Sequence, residues 1–172
     1  EHYPLLLHYP YFQLYRKQVV KQADVVLAMQ MAPDMFTPEQ KLRNFDYYEG
    51  ITVRDSSLSP ATQAVMAAEV GHLNLAYDYL AEAAFMDLQD REHNTKDGLH
   101  IASLAGAWTA LVSGFGGMRA VKGQLCFSPR LPPGIVRLVF RLRYRGRTLR
   151  VEVHNQSATY SLVSGDPLDV RH

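Results

Sequence analysis

The sequence predicts a mainly helical chain that ends in a small β unit, and three observations point there. Apolar residues recur at helical spacing, behind recognisable helix starts, through the first two thirds of the 172 residues. Pro129, Pro132, Pro133 and Gly134 then forbid a long helix. Beyond them, apolar and charged residues alternate with the period of a strand.

The elements follow in order. In LYRKQVVKQADVVLAMQM, residues 14–31, Leu14, Val19, Val20, Ala23, Val26 and Leu27 stand at helical spacing and predict the first strongly amphipathic helix. Thr37-Pro38-Glu39-Gln40 is a helix start: Thr37 caps, Pro38 suits the first helical position, and Gln40 completes a capping box. Ser59-Pro60 repeats the device, with Ser59 as the cap, and opens a helix that Gly71 closes. LNLAYDYLAEAAFMDLQD follows, then a polar loop at 91–98, then a helix at DGLHIASLAGAW, residues 97–108. Ala102, Ser103, Ala105, Gly106 and Ala107 make that last helix a close-packing seam, and SGFGG, 113–117, reads as its loosened end. Helices joined by short loops suggest helical hairpins. After residue 119, VRLVFRLRYRG and RTLRVEV read as two strands around Gly146, with ATYSLV and LDV beyond. The division falls at 1–122 for the helical part and 123–172 for the β unit, which is small enough to need something larger to pack on.

Composition narrows the function classes. Hydrophobic residues make up 47% of the chain, so a packed core is expected and disorder is not. Apolar runs are broken by charge well short of the roughly 20 residues that cross a membrane. Glu1-His2-Tyr3 lacks the basic start of a signal peptide, and Cys126 is the single cysteine, so the reading is a cytoplasmic protein without disulfides. The net charge of +1 hides an asymmetry: 10 Lys and Arg against 14 Asp and Glu in residues 1–122, and 8 against 3 in 123–172. However, Arg137, Arg141, Arg143 and Arg145 alternate with apolar residues, the pattern of a strand with one solvated face, and nucleic-acid binding is not expected.

Few residues carry chemistry unaided. RDSSLSP, 54–60, joins two predicted helices and sets the Ser56 and Ser57 hydroxyls beside a helix entry. Such a stretch is either ordinary turn chemistry or an anion cradle built from hydroxyls and free N–H groups. Lys21 and Gln22 are either a solvated pair on a helix or hydrogen-bonding partners for sugar hydroxyls. His100, at the mouth of the small-residue helix, is a capping group, a satisfied core residue or an anion contact. His93 lies in a polar loop and needs no function. No His/Cys grouping has metal spacing, no HExxH or GxSxG occurs, and SGFGG lacks the lysine of a phosphate loop.

Taken together, VVKQADVVL, RNFDYYEGITVRDSSLSP, AAEVGHLNLAYDYL, DGLHIASLAGAW, VSGFGGM and LCFSPRLPP resemble, in this order, the family 65 glycoside hydrolases, a family that includes maltose, trehalose and kojibiose phosphorylases. The resemblance runs from about residue 14 to about residue 153. It implies the last helices of an (α/α)6 catalytic barrel followed by a small C-terminal β-sheet domain. It implies that the catalytic acid, a glutamate, lies upstream of the KQAD motif, so no glutamate here takes that role and the isolated chain is expected to be inactive. It implies that Lys21 and Gln22 hold the glucosyl unit of an α-linked disaccharide, and that Ser56, Ser57 and His100 surround inorganic phosphate, the co-substrate. Arg54 stands where many relatives have histidine, which leaves its part in anion contact open. No metal or other cofactor is implied.

The leading expectation is thus the C-terminal part of an inverting disaccharide phosphorylase. A trehalase-like hydrolase of the same family is the first rival, with Asp55 a potential base and the paired serines against it. A non-catalytic helical module that binds sugar or protein is the second. Helix faces meant for missing barrel neighbours should be exposed, so self-association or packing with an N-terminal part is expected.

Overall fold

The computed structural model describes residues 5–53, 56–90, 93 and 95–172. Among the described residues the helices are α1 (Leu5–His8), α2 (Tyr11–Leu14), α3 (Asp24–Met31), α4 (Pro38–Ile51), α5 (Ser59–Val70), α6 (Leu73–Phe85) and α7 (Ile101–Thr109), the last continuing into a π-helical segment at Ala110–Phe115. The strands are β1 (Arg119–Val121), β2 (Gln124–Cys126), β3 (Arg137–Tyr144), β4 (Arg147–His154), β5 (Ser157–Ser164) and β6 (Val170–Arg171). The chain is mainly α with a small β region at its end. No described helix is long and apolar enough to cross a membrane.

The centre is α5. Gln63, Ala64, Val65, Met66, Ala67 and Ala68 are consecutive and all buried, which requires neighbours on every face. Those neighbours are α3, α4, α6, α7 and the π-helical segment. Gly71 ends α5 in the left-handed region at φ +98°, where its N–H and that of His72 satisfy the last carbonyls, and the chain turns back into α6. At the start of α4, Thr37 Oγ1 accepts from the Gln40 N–H at 3.2 Å and Gln40 Oε1 accepts from the Thr37 N–H at 2.9 Å, the expected capping box.

Two expectations are corrected. The helix expected over residues 14–31 is interrupted: α2 ends at Leu14 and α3 begins only at Asp24. The backbone of Val20 is claimed by a neighbour, its N–H donating to Ile51 O and its carbonyl accepting from Val53 N–H, both at 2.9 Å. Lys21 and Gln22 therefore sit in a connection ahead of the helix. Ser59 does not cap α5 with its side chain; the residue at the cap position is Leu58. The buried Ser59 Oγ instead accepts from the Ala23 N–H at 3.2 Å, tying the start of α3 to the start of α5.

The small-residue seam forms in part: Ser103 is buried and Gly106 and Ala107 are half-buried, whereas Ala102 and Ala105 are exposed. A Cβ on Gly106 would stand 2.4 Å from the Ala61 methyl, and one on Gly114 would stand 3.4 Å from the Val65 Cα. As residue number rises along α7 and its continuation, the facing residue on α5 rises too, so the two helices run parallel. Ser103 Oγ donates to Ala83 O at 3.1 Å and fastens α7 to α6 as well.

The β unit consists of two three-stranded sheets, ordered β1-β2-β6 and β3-β4-β5. The β3–β4 hairpin turns at Arg145-Gly146, with φ of +48° and +78°, the conformation that suits a two-residue hairpin. Along β3 the exposure alternates as read: Phe140 and Leu142 are buried while Arg137, Arg141 and Arg143 are exposed. On the outer face Glu152 accepts hydrogen bonds first from Arg137 and then from Arg150, which pull its carboxyl down to about 2. The expected division at residue 122/123 falls in the turn between β1 and β2.

The β core of Leu125, Phe127, Phe140, Leu142, Leu149, Val151 and Val153 is completed by Val112 of the π-helical segment. At the same junction Lys41 Nζ reaches Glu69 Oε1 at 2.6 Å, Arg119 pairs with the other oxygen, and Arg130 Nη1 donates to Glu69 O at 2.9 Å. Burial raises the Glu69 carboxyl, but the Arg119 guanidinium and the hydrogen bonds from Lys41 and Arg119 outweigh it, leaving the group below its ordinary value. A cavity of about 420 Å³ lined in part by Lys41, Glu69, Arg119 and Arg130 lies here, at the C-terminal end of α5.

Candidate active site

The residues singled out from the sequence gather at the other end of α5. Lys21 and Gln22 immediately precede Ala23, whose N–H is held by Ser59 at the helix start. The bridge between Val20 and Thr52 brings the same segment alongside the chain leading to Ser56 and Ser57. Arg54 and Asp55 lie outside the described residues. Lys21 is exposed, Gln22 half-buried, and both line a concavity of about 620 Å³ with Val20, Asp24, Val25 and Tyr48. Lys21 also borders a second concavity, of about 320 Å³, edged by α1 and α2.

His100 arrives from α7. Because Gly106 faces Ala61 and the helices run parallel, the N-termini of α5 and α7 lie at one end, offset by three residues, or about 4.5 Å at 1.5 Å per residue. Ser56, Ser57 and His100 thus occupy the approaches to two adjacent helix starts. Ser56 Oγ accepts a weak hydrogen bond from the Leu58 N–H at 3.4 Å, an arrangement that holds the turn.

Electrostatics at this end favour negative charge. The starts of α3, α5 and α7 present the positive ends of their dipoles, although the N–H groups of Ala23 and Leu58 are taken by serine hydroxyls, that of His100 by Asp87, and Pro60 has none. Neither α5 nor α7 carries an acidic residue in its first turn, but the Asp87 carboxylate accepts from the His100 N–H at the start of α7 and offsets the field there. In α3, Asp24 occupies the first turn. Serine hydroxyls, helix N–H groups and an imidazole form a donor set suited to a phosphate-sized anion.

The His100 ring has a partner that no sequence pattern announced. Asp87 Oδ1 lies 2.6 Å from His100 Nδ1, and Asp87 Oδ2 accepts from the His100 N–H at 2.9 Å. An ionised carboxylate only accepts, so this contact assigns the proton to Nδ1 and turns Nε2 away from Asp87. Asp87 lies 13 residues before His100, across the polar loop, and only the antiparallel packing of α6 and α7 brings them together.

Among the described residues one face of α7 is left open: Ile101, Leu104 and Trp108, spaced three and four apart, are all exposed. Among the described residues no group of three or more His, Cys, Asp or Glu is placed to hold a metal ion.

Comparison with known proteins agrees with the fold and order of elements. Residues 1–109 match the glycosyl hydrolase family 65 central catalytic domain, and residues 118–172 match the glycosyl hydrolase family 65 C-terminal domain. An uncharacterized glycosyl hydrolase of Mycobacterium leprae is 61% identical over 172 residues, and the alpha,alpha-trehalose phosphorylase of Thermoanaerobacter brockii is 45% identical over 170. Both alignments cover 99% of this chain and 22% of the relative, so the chain spans about a fifth of their length. A solved structure from the human microbiome, described as a kojibiose phosphorylase, superposes with a TM-score of 0.91 at 29% identity, over 99% of this chain and 25% of its own. The chain belongs to glycosyl hydrolase family 65.

Proposed function

We propose that this chain forms one wall of the active site of an inverting α-glucosyl disaccharide phosphorylase acting on a substrate of the trehalose, maltose or kojibiose type. The observation that carries the reading is the convergence of Lys21, Gln22, Ser56, Ser57 and His100 at the end of the helices where α3, α5 and α7 begin. In this reading residues 1–122 are the last helices of an (α/α)6 catalytic barrel and 123–172 a C-terminal β domain. The exposed face of Ile101, Leu104 and Trp108 packs on the remaining barrel helices, and the isolated chain self-associates through it.

The chemistry follows from the donors. Lys21 and Gln22 hold the hydroxyls of the glucosyl unit at the cleaved bond. A glutamic acid supplied by the upstream part of the barrel protonates the departing glycosidic oxygen as its bond to the anomeric carbon breaks. A phosphate oxygen forms the new bond from the opposite face, so an α-linkage yields β-glucose 1-phosphate and the free acceptor sugar. Phosphate is already anionic and needs no carboxylate base; it needs to be held in line. Ser56, Ser57, the helix N–H groups and His100 Nε2 do that and offset its charge as the bond forms.

The test is to assay the complete protein on trehalose, maltose and kojibiose with and without phosphate. Phosphate-dependent release of β-glucose 1-phosphate from one of them is expected. Glucose release at a rate indifferent to phosphate refutes the phosphorylase reading in favour of a hydrolase, and no cleavage of any of the three leaves a binding module.

A further inference from the structure

Asp87 is nearly buried and commits both oxygens to a single residue. It follows the C-terminal end of α6, the negative end of that helix dipole, and its side chain is only 7% exposed. Its two oxygens are used on one residue: Oδ1 on the His100 ring and Oδ2 on the His100 N–H. The first contact fixes the rotation and tautomer of the imidazole, and the second fixes the backbone from which α7 starts. The ring itself is 19% exposed.

We infer that Asp87 is a positioning residue for the co-substrate anion, acting through His100 by holding Nδ1 protonated and presenting Nε2 toward the phosphate. The inference rests on the phosphorylase reading above. When Nε2 takes the proton of a hydrogen-phosphate P–OH and donates it back as a hydrogen bond to the same oxygen, the carboxylate behind the ring balances the imidazolium charge, and the ring needs no reorientation. Without Asp87 the imidazole is free to rotate about its side-chain bonds and to adopt the other tautomer. Misplacement of a contact group by about 1 Å is enough to cost up to about 100-fold.

The test is a double-mutant cycle in the complete enzyme, reading the phosphate KM, the disaccharide KM and the melting temperature. Asp87→Asn is expected to raise the phosphate KM by about 10- to 100-fold while the disaccharide KM stays within about two-fold. His100→Ala is expected to raise the phosphate KM at least as much, and adding Asp87→Asn to it should change nothing further. If Asp87→Asn does not fold, Asp87→Glu, which keeps the charge but displaces the ring, is run through the same cycle with the same expectation of lost additivity. A phosphate KM that ignores Asp87 substitution, or one that rises equally with and without His100, overturns the positioning role alone. A phosphate KM unaffected by His100→Ala overturns the phosphate-site reading itself.

Discussion

Replacing Gly106 by alanine tests the geometry that brings His100 to the serines. The added Cβ would stand 2.4 Å from the Ala61 methyl, whereas carbon atoms rest at about 3.5 Å or more. Ala61 has no rotamer with which to yield, so α5 and α7 must part by roughly 1 Å. Overpacking of this kind costs about 1–3 kcal/mol, and alanine returns about 1 kcal/mol of helix propensity. The net expectation is a loss of about 0–2 kcal/mol. Thermal and urea unfolding of the complete protein would register it as an earlier transition, and the phosphate KM should rise as the two helix starts separate. Adding Ala61→Gly reopens the space, so the two substitutions should couple favourably by about 1–3 kcal/mol. A Gly106→Ala protein clearly more stable than its parent, or a double variant with no coupling, would refute the claim that this seam sets the distance between the helices.

Two other substitutions probe the remaining ties. Ser59→Ala removes the acceptor of the Ala23 N–H and should cost about 1–3 kcal/mol; because Lys21 and Gln22 lie just ahead of Ala23, it should raise the disaccharide KM more than the phosphate KM, whereas mere loss of a helix cap would leave both alone. Glu69→Gln unpairs Lys41 and Arg119 and should lower stability at pH 7 by less than the roughly 3–5 kcal/mol of a fully buried pair. The folded Glu69 carboxyl lies below its ordinary value, so its contribution is complete above about pH 4.3 and is lost as pH falls through the folded value. The gap in melting temperature between parent and Glu69→Gln should therefore close below about pH 4.3, and a gap that persists or widens there would contradict the assignment.

What the sequence made legible was local. Thr37 and Gln40 satisfy each other three residues apart, Gly71 supplies a left-handed turn, and Gly146 sits between two alternating segments; each signal is complete within a few residues. Gly106 and its small neighbours announced a seam because close approach needs absent side chains. The helical spacing around Lys21 misled because the backbone of Val20 is engaged by Ile51 and Val53, some thirty residues on, and Val19 faces out. Ser59 misled in the same way: its hydroxyl serves Ala23 on another helix instead of its own helix end. Asp87 carried no signal at all, since its role depends on the packing of α6 against α7. Family resemblance singled out Lys21, Gln22, Ser56, Ser57 and His100, and the geometry sets them toward the end where α3, α5 and α7 begin.

An anion is expected to bind where α5 and α7 begin. Arsenate is a phosphate analogue whose arsenic scatters anomalously, so diffraction from the complete protein crystallised with it would locate the anion directly. The predicted peak lies with arsenate oxygens at about 3 Å from His100 Nε2 and from a hydroxyl of Ser56 or Ser57. A peak confined to the Lys41, Arg119 and Arg130 cavity at the far end of α5, or none at the helix starts under conditions where arsenate supports cleavage, would contradict it.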